Sequence, residues 1–173
     1  MIIIRIGRRS AKVAIAILAA AFLGFCLFYY IPGNRLENMA AYLSDSSRKD
    51  VEIFDVSGGR VIKRILINPA IKGEAEAALE SITGMYAKVN AFPAKGYVIR
   101  VPVEPSLSVR NQWLEGCGIN TVDEAFVIFA EEESPYLLVL DRQDRPLFFN
   151  FSSTTEELLD ILQGSLPEEM QKE

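Results

Sequence analysis

The densest acidic run in the chain is Glu131-Glu132-Glu133, and loop carboxylates are the ligands that hard cations prefer. Three consecutive side chains do not project one way. Calcium loops alternate their ligands and place a glycine at the sharp turn, and this run does neither, so it reads as a solvated hairpin loop whose charge discourages edge-to-edge association. A glycosidase would hold two carboxylates roughly 5–10 Å apart across a cleft. Among 23 acidic residues some pair always meets that distance, and no aromatic context selects one. Lys88 and Lys95 could approach a serine in a Ser-Lys arrangement, without any local signature for it. The chain has no histidine, which removes the commonest general base, the Ser-His and Cys-His pairs and the most frequent transition-metal ligand. The two cysteines, Cys26 and Cys117, cannot assemble a zinc site of the usual type. The expectation is therefore a protein that is not an enzyme, with no cofactor and no metal.

Residues suited to contact are easier to find. Arg100, Arg110 and Trp113 fall on runs expected to form neighbouring strands, where alternation could align two cations and an aromatic on one face for a partner or an anionic glycan. The competing reading is a core Trp113 with solvated arginines. Phe148, Phe149 and Phe151 are expected in the core with one ring on the other sheet face; that outward ring, Phe148 or Phe149, is the expected exposed apolar contact. Cys117, between Gly116 and Gly118, reads as a small, partly buried residue in a turn, and Asn150-Phe151-Ser152 matches a short glycosylation sequon.

These residues sit on elements with local signatures. Asn34 can cap a short helix carrying Leu36, Met39, Ala40 and Leu43, ended by Ser44 to Ser47. Val51–Val56 and Arg60–Ile67 flank Ser57-Gly58-Gly59 and predict a hairpin. Asn68-Pro69 starts a helix in which Ile71, Ala75, Ala78, Leu79, Ile82, Tyr86 and Val89 share one stripe. Strand-like runs follow at Tyr97–Val103, Leu107–Trp113, Glu124–Ala130, Tyr136–Asp141 and Leu147–Phe151. Pro102 and Pro105 assign the first run or its end to an edge or bend. Arg142 to Arg145 is a connection of hairpin size, and short joins favour antiparallel pairing. Ser153 with Glu156 forms a capping-box pattern before Leu158, Leu159 and Leu162, Gly164 can close that helix in a left-handed conformation, and the charged tail from Pro167 is expected to fray. The fold class is α+β: one mainly antiparallel sheet with packed helices, over residues 50–164.

What precedes this domain sets its address. Val13 to Ile31 holds no charge, and nineteen residues at about 1.5 Å of helical rise each cover close to the roughly 30 Å hydrocarbon thickness of a bilayer. Arg5, Arg8, Arg9 and Lys12 precede it, whereas from Arg35 onward 23 acids face 14 bases. Basic flanks stay cytoplasmic, so the expectation is a single-pass chain: residues 1–12 in the cytoplasm, 13–31 in the bilayer, 32–49 a juxtamembrane helix or stalk, 50–164 outside, and 165–173 a tail. Tyr29 and Tyr30 suit the interfacial belt. A cleaved signal peptide is the rival, but its apolar middle is usually about 7–15 residues, and Ala19-Ala20-Ala21 lies inside the apolar segment and not at its polar edge. Leu23-Gly24-Phe25-Cys26 departs from a lipoprotein cleavage box in the bulk of Phe25, and the segment lacks the acidic residue of pilin-like anchors. Lone Cys117 outside the membrane leaves the domain without an internal disulfide. The acidic balance argues against nucleic acid and against lying flat on anionic lipid.

The stretch from Val51 to Ile65, then a helix, then Gly96-Tyr97-Val98-Ile99-Arg100-Val101, resembles the start of uncharacterised membrane-anchored or secreted domains of Bacillus-like Gram-positive bacteria. The resemblance covers about a third of the chain, rests on a hairpin-plus-helix pattern, and supplies no functional residues. It implies an envelope location and a non-catalytic role. The functional expectation is a membrane-anchored extracytoplasmic domain, held by residues 13–31, acting through contact with another membrane or envelope protein as an assembly, regulatory or sporulation-type accessory factor. The alternative is a small-ligand or cell-wall-glycan module.

Overall fold

A computed structural model of the chain describes residues 39, 41–43, 49–88 and 91–165. The chain divides into two compact units, Met1–Glu37 and Asn38–Glu173. The first unit, and with it the 13–31 span, its flanking tyrosines and the Asn34 cap, lies outside the described residues, as do Ser44 to Ser47, Val89 and the tail from residue 166. Among the described residues no helix is long and apolar enough to cross a membrane.

Among its described residues the second unit holds seven strands: β1 (Val51–Asp55), β2 (Arg60–Ile65), β3 (Ile82–Met85), β4 (Gly96–Ser108), β5 (Thr121–Ala130), β6 (Tyr136–Leu140) and β7 (Pro146–Phe151). Helices α1 (Pro69–Glu80) and α2 (Gln112–Gly116) lie between strands, and α3 (Glu156–Gln163) follows β7. All pairs are antiparallel and the order across the sheet is β2-β1-β4-β5-β6-β7-β3. The α+β expectation holds. Helix α1 carries the chain from one edge of the sheet, β2, to the other, β3.

Strand alternation divides the apolar residues between two layers. On one face Ile53, Ile99, Val101, Val127, Leu137 and Phe149 meet Ile71, Ala75, Ala78 and Leu79 of α1, Leu114 of α2, and Leu158 and Leu162 of α3. On the other, Phe54, Val98, Phe126, Ile128, Tyr136 and Leu138 are covered by the helical residues Met39, Tyr42 and Leu43. A sheet buried on both faces explains why its central strands read as near-continuous apolar runs.

The hairpin forms as expected, with Gly59 at φ 62 and the Asp55 carboxylate accepting the Ser57 amide at 2.8 Å. Asn68 caps α1, its Oδ1 accepting from Ile71 N at 2.8 Å, with Pro69 opening the helix. Other expectations are corrected. The predicted helix through Val89 stops at Glu80, and Ile82–Met85 is a strand on the outer side of β7, because β-branched Ile82 and Thr83 followed by Gly84 suit an extended edge better than a further helical turn. The runs split at Pro105 are one strand, β4, and it lies in the middle of the sheet; the prolines are absorbed where its register with β5 shifts between Pro102 and Leu107, so the expected bend is there without the edge. The capping box is not made: the N-cap of α3 is Thr155, which gives no side-chain bond. Glu74 of α1 accepts the amides of Glu157 and Leu158 at 2.9 and 3.0 Å in its place. Gly164 closes α3 in a right-handed conformation, φ −66.

Candidate functional site

The face carrying Phe54, Val98 and Phe126 also carries three charges at inward positions, because Glu52, Arg100 and Glu124 each stand two residues from one of those apolar side chains. Glu52 lies opposite Arg64 on β2 and opposite Arg100 on β4. The charges therefore alternate across β2, β1, β4 and β5. Arg64 Nε meets Glu52 Oε1 at 2.7 Å, Glu52 Oε2 is 3.8 Å from Arg100 Nη1, and Arg100 Nε donates to Glu124 Oε2 at 2.6 Å. Arg100 is 1% exposed and Glu52 likewise. Tyr42 seals the array: its hydroxyl donates to the Glu52 carbonyl at 3.3 Å and its ring stacks on Phe54 at 4.7 Å. Burial, then the Glu52 charge, drives the Tyr42 hydroxyl far above its ordinary pKa. Burial also raises the Glu124 carboxyl, with the Arg100 bond pulling against it.

Where β4 kinks, this array opens onto a cavity of about 560 Å³ whose lining includes Arg100, Glu104, Asp123, Glu124, Arg142 and Asp144. Asp123 and Asp144 both act on the Glu124 carboxyl, so the mouth of the cavity is predominantly acidic. Asp141 closes the β6–β7 turn by accepting from Gln143 N, Arg145 N and Arg145 Nε, and the Arg145 bond holds its carboxyl below the usual range.

The structure does not bring the sequence-predicted contact residues together. Arg100 is buried within the charge array. Arg110 is exposed in the segment that follows β4, and Trp113 lies on α2, 38% exposed, because Asn111 caps that short helix and accepts the Trp113 amide at 3.0 Å. Trp113 is neither strand nor core; its ring lies over Gly84 of β3. Phe149 is fully buried under the helices, whereas Phe148 is the ring on the other face, packed edge-on to Phe92 at 5.0 Å, so the outward ring is half-buried and not an exposed contact. Cys117 is partly buried in the turn after α2, as expected.

The three consecutive glutamates point apart. Glu131 pairs with Lys95 at 3.6 Å, Glu132 adopts φ 61, and Glu133 bonds the Tyr86 hydroxyl and Lys88 Nζ, the latter at 2.5 Å. Lys88, then Tyr86, holds the Glu133 carboxyl below its ordinary value. Among the described residues no cluster of His, Cys, Asp or Glu has the geometry to hold a metal ion. Glu52, Glu124, Tyr42 and Glu74 escaped sequence reasoning. The available signal was parity, since a charged residue in phase with buried aromatics on two or more strands requires a charge opposite it.

Compared with known proteins, the chain matches no family model, no curated protein and no solved structure.

Proposed function

We propose that the chain is a single-pass protein of a bacterial envelope whose α+β domain stands outside the cytoplasm and acts by contact with another membrane or envelope protein, without catalysis. The observation that carries this reading is the uncharged stretch from Val13 to Ile31, between a purely basic start and a predominantly acidic remainder. Contact is supported by the large apolar side chains left in solvent on the domain: Leu66 at 80%, Met85 at 47% and Trp113 at 38% exposure. Tethering to one membrane raises the effective concentration of the domain for its neighbours, so a weak surface suffices.

In cells expressing the full chain, the protein should stay with membranes through an alkaline wash, be digested by protease added from outside, and cross-link to a second membrane protein. Recovery of a mature chain from culture fluid starting after Ile31 would overturn the anchor; a domain that cross-links to nothing would overturn the contact role. A second reading, a small-ligand or cell-wall-glycan module, draws on the cavity beside Arg100 and Glu124. Muropeptide retention on the immobilised protein, lost on Asp144→Ala and kept on Trp113→Ala, would favour it.

A further inference from the structure

The two ends of the sheet are finished differently. At the β3 edge the side chain of Asn111 donates to the carbonyls of Glu80 and Ile82 at 3.2 and 3.0 Å, and that of Asn150 donates to the Met85 carbonyl at 3.3 Å. At the β2 edge, among the described residues, β1 is the sole strand neighbour and no comparable cover is present. The pairing with β1 is bulged between Ile53 and Phe54, so the regular part of this edge runs from Lys63 through Ile65 and on along the exposed residues Leu66 and Ile67 to the Asn68 cap.

An open edge is a row of backbone donors and acceptors that templates another strand, and cations are one device by which proteins guard such edges. Here the cations are drawn onto the two faces of the sheet. Lys63 Nζ donates to the Gly164 carbonyl at the end of α3 at 3.0 Å, and Arg64 Nε turns to Glu52 on the opposite face. The strand holds Arg60, Lys63 and Arg64 and no acid, in a chain of net charge −5. Antiparallel pairing of two copies through β2 would set these cations against one another, whereas an acidic strand meets complementary charge.

We propose that the β2 edge from Lys63 to Ile67 is the contact surface of this domain, and that it takes an extended segment of a partner protein in which acidic and apolar residues alternate, added as an eighth strand. The inference rests on the contact role proposed above. Main-chain hydrogen bonds supply the affinity, Lys63 selects for carboxylates on its face of the sheet, and Leu66 receives the apolar side chains on the other.

The test uses the full chain in nanodiscs and two capped ten-residue peptides, one alternating Glu and Val and the other Lys and Val. The Glu-Val peptide should bind, slow amide exchange at residues 62–67 and not at β6, and weaken by about tenfold or more on Lys63→Glu, which corresponds to about 1.4 kcal/mol. Leu66→Pro, which removes an edge amide, should abolish binding, and Leu66→Lys should weaken it with the fold intact by circular dichroism. The Lys-Val peptide should not bind. Equal binding of both peptides, or binding indifferent to both Leu66 variants, overturns the proposal. So does protection of β2 that grows with protein concentration, which marks a second copy, or binding that emerges only in a chain ending at Ser165, which marks residues 166–173 as the occupant. Cellular cross-links that survive Leu66→Pro would show that this surface is wrong while the contact role stands.

Discussion

Replacing Arg100 with methionine tests the charge array directly. The substitution keeps a long apolar stem at a position 1% exposed and removes the guanidinium. Glu52 retains Arg64 at 2.7 Å, so the uncompensated group is Glu124, whose side chain is 11% exposed and for which Arg100 is the cation within ion-pair distance among the described residues. Breaking a buried pair from one side costs about 3–5 kcal/mol, because a charge is left in a poorly solvated site. With a urea slope of about 2 kcal/mol per molar for a domain of this size, the unfolding midpoint should fall by about 1.5–2.5 M. The loss should depend on pH with a definite sign. The Glu124 carboxyl already titrates above its ordinary value of 4.5, and losing Arg100 raises it further. An acid whose folded pKa is raised contributes stability below its unfolded pKa and loses it as pH climbs through the folded one. The Arg100→Met deficit should therefore shrink on acidification. The double variant Arg100→Met/Glu124→Leu should recover to within about 1.5 kcal/mol of the parent, since a whole buried pair is often replaceable by apolar groups. Urea titrations of the full chain in mild detergent at neutral and acid pH read all three. A single-variant loss below about 1 kcal/mol, a loss independent of pH, or a double variant no better than the sum of the singles refutes the reasoning.

Four further outcomes follow from local geometry. Glu74→Ala should cost about 1 kcal/mol in thermal unfolding by releasing the first amides of α3, and more than Thr155→Ala, whose side chain makes no cap. Gly73→Ala should stabilise by about 0.5–1 kcal/mol, since it is an exposed helical glycine whose Cβ would meet nothing within 4 Å. Gly96→Ala should destabilise by about 2 kcal/mol or more in the same assay, because at φ +128 its Cβ would sit 2.2 Å from the Phe129 carbonyl oxygen. Asp141→Asn should flatten the acid limb of the stability-pH curve: the Arg145 bond lowers the folded pKa of Asp141, so its contribution is present above the ordinary value of 3.8 and is lost as pH falls through the lowered one.

The parts of this fold legible from sequence are those whose chemistry is local. The Ser57-Gly58-Gly59 turn, the Asn68-Pro69 helix start and the Asp141–Arg145 connection each draw their hydrogen bonds from within a few residues. Strand β3 was not legible because Ile82 and Tyr86 continue the apolar stripe of α1, and what overrides that spacing is the exposed side of β7, a partner far along the chain. Trp113 misled for a similar reason. The Asn111 cap that turns Gln112–Gly116 into one short helix leaves too few residues for a helical period to register, and the same Asn111 ties that helix to the carbonyls of Glu80 and Ile82 across the fold.

The charge array lies between these cases, and it shows what the buried ions do for the fold. Each member can be flagged from its own strand, since Glu52, Arg100 and Glu124 are in phase with Phe54, Val98 and Phe126; the pairing cannot, because it depends on the register of β1, β4 and β5. That dependence runs both ways. A one-residue slip of β1 against β4 would carry Glu52 to the helix-covered face, beside Ile99 and Val101 of β4, and leave Arg100 opposite an apolar residue of β1. Apolar side chains alone would penalise that slip weakly, because both faces of this sheet are buried and both accept Ile, Val and Phe. The alternating ions supply the discrimination between two otherwise similar faces, which accounts for their position across the central strands of a sheet with no polar side to orient it.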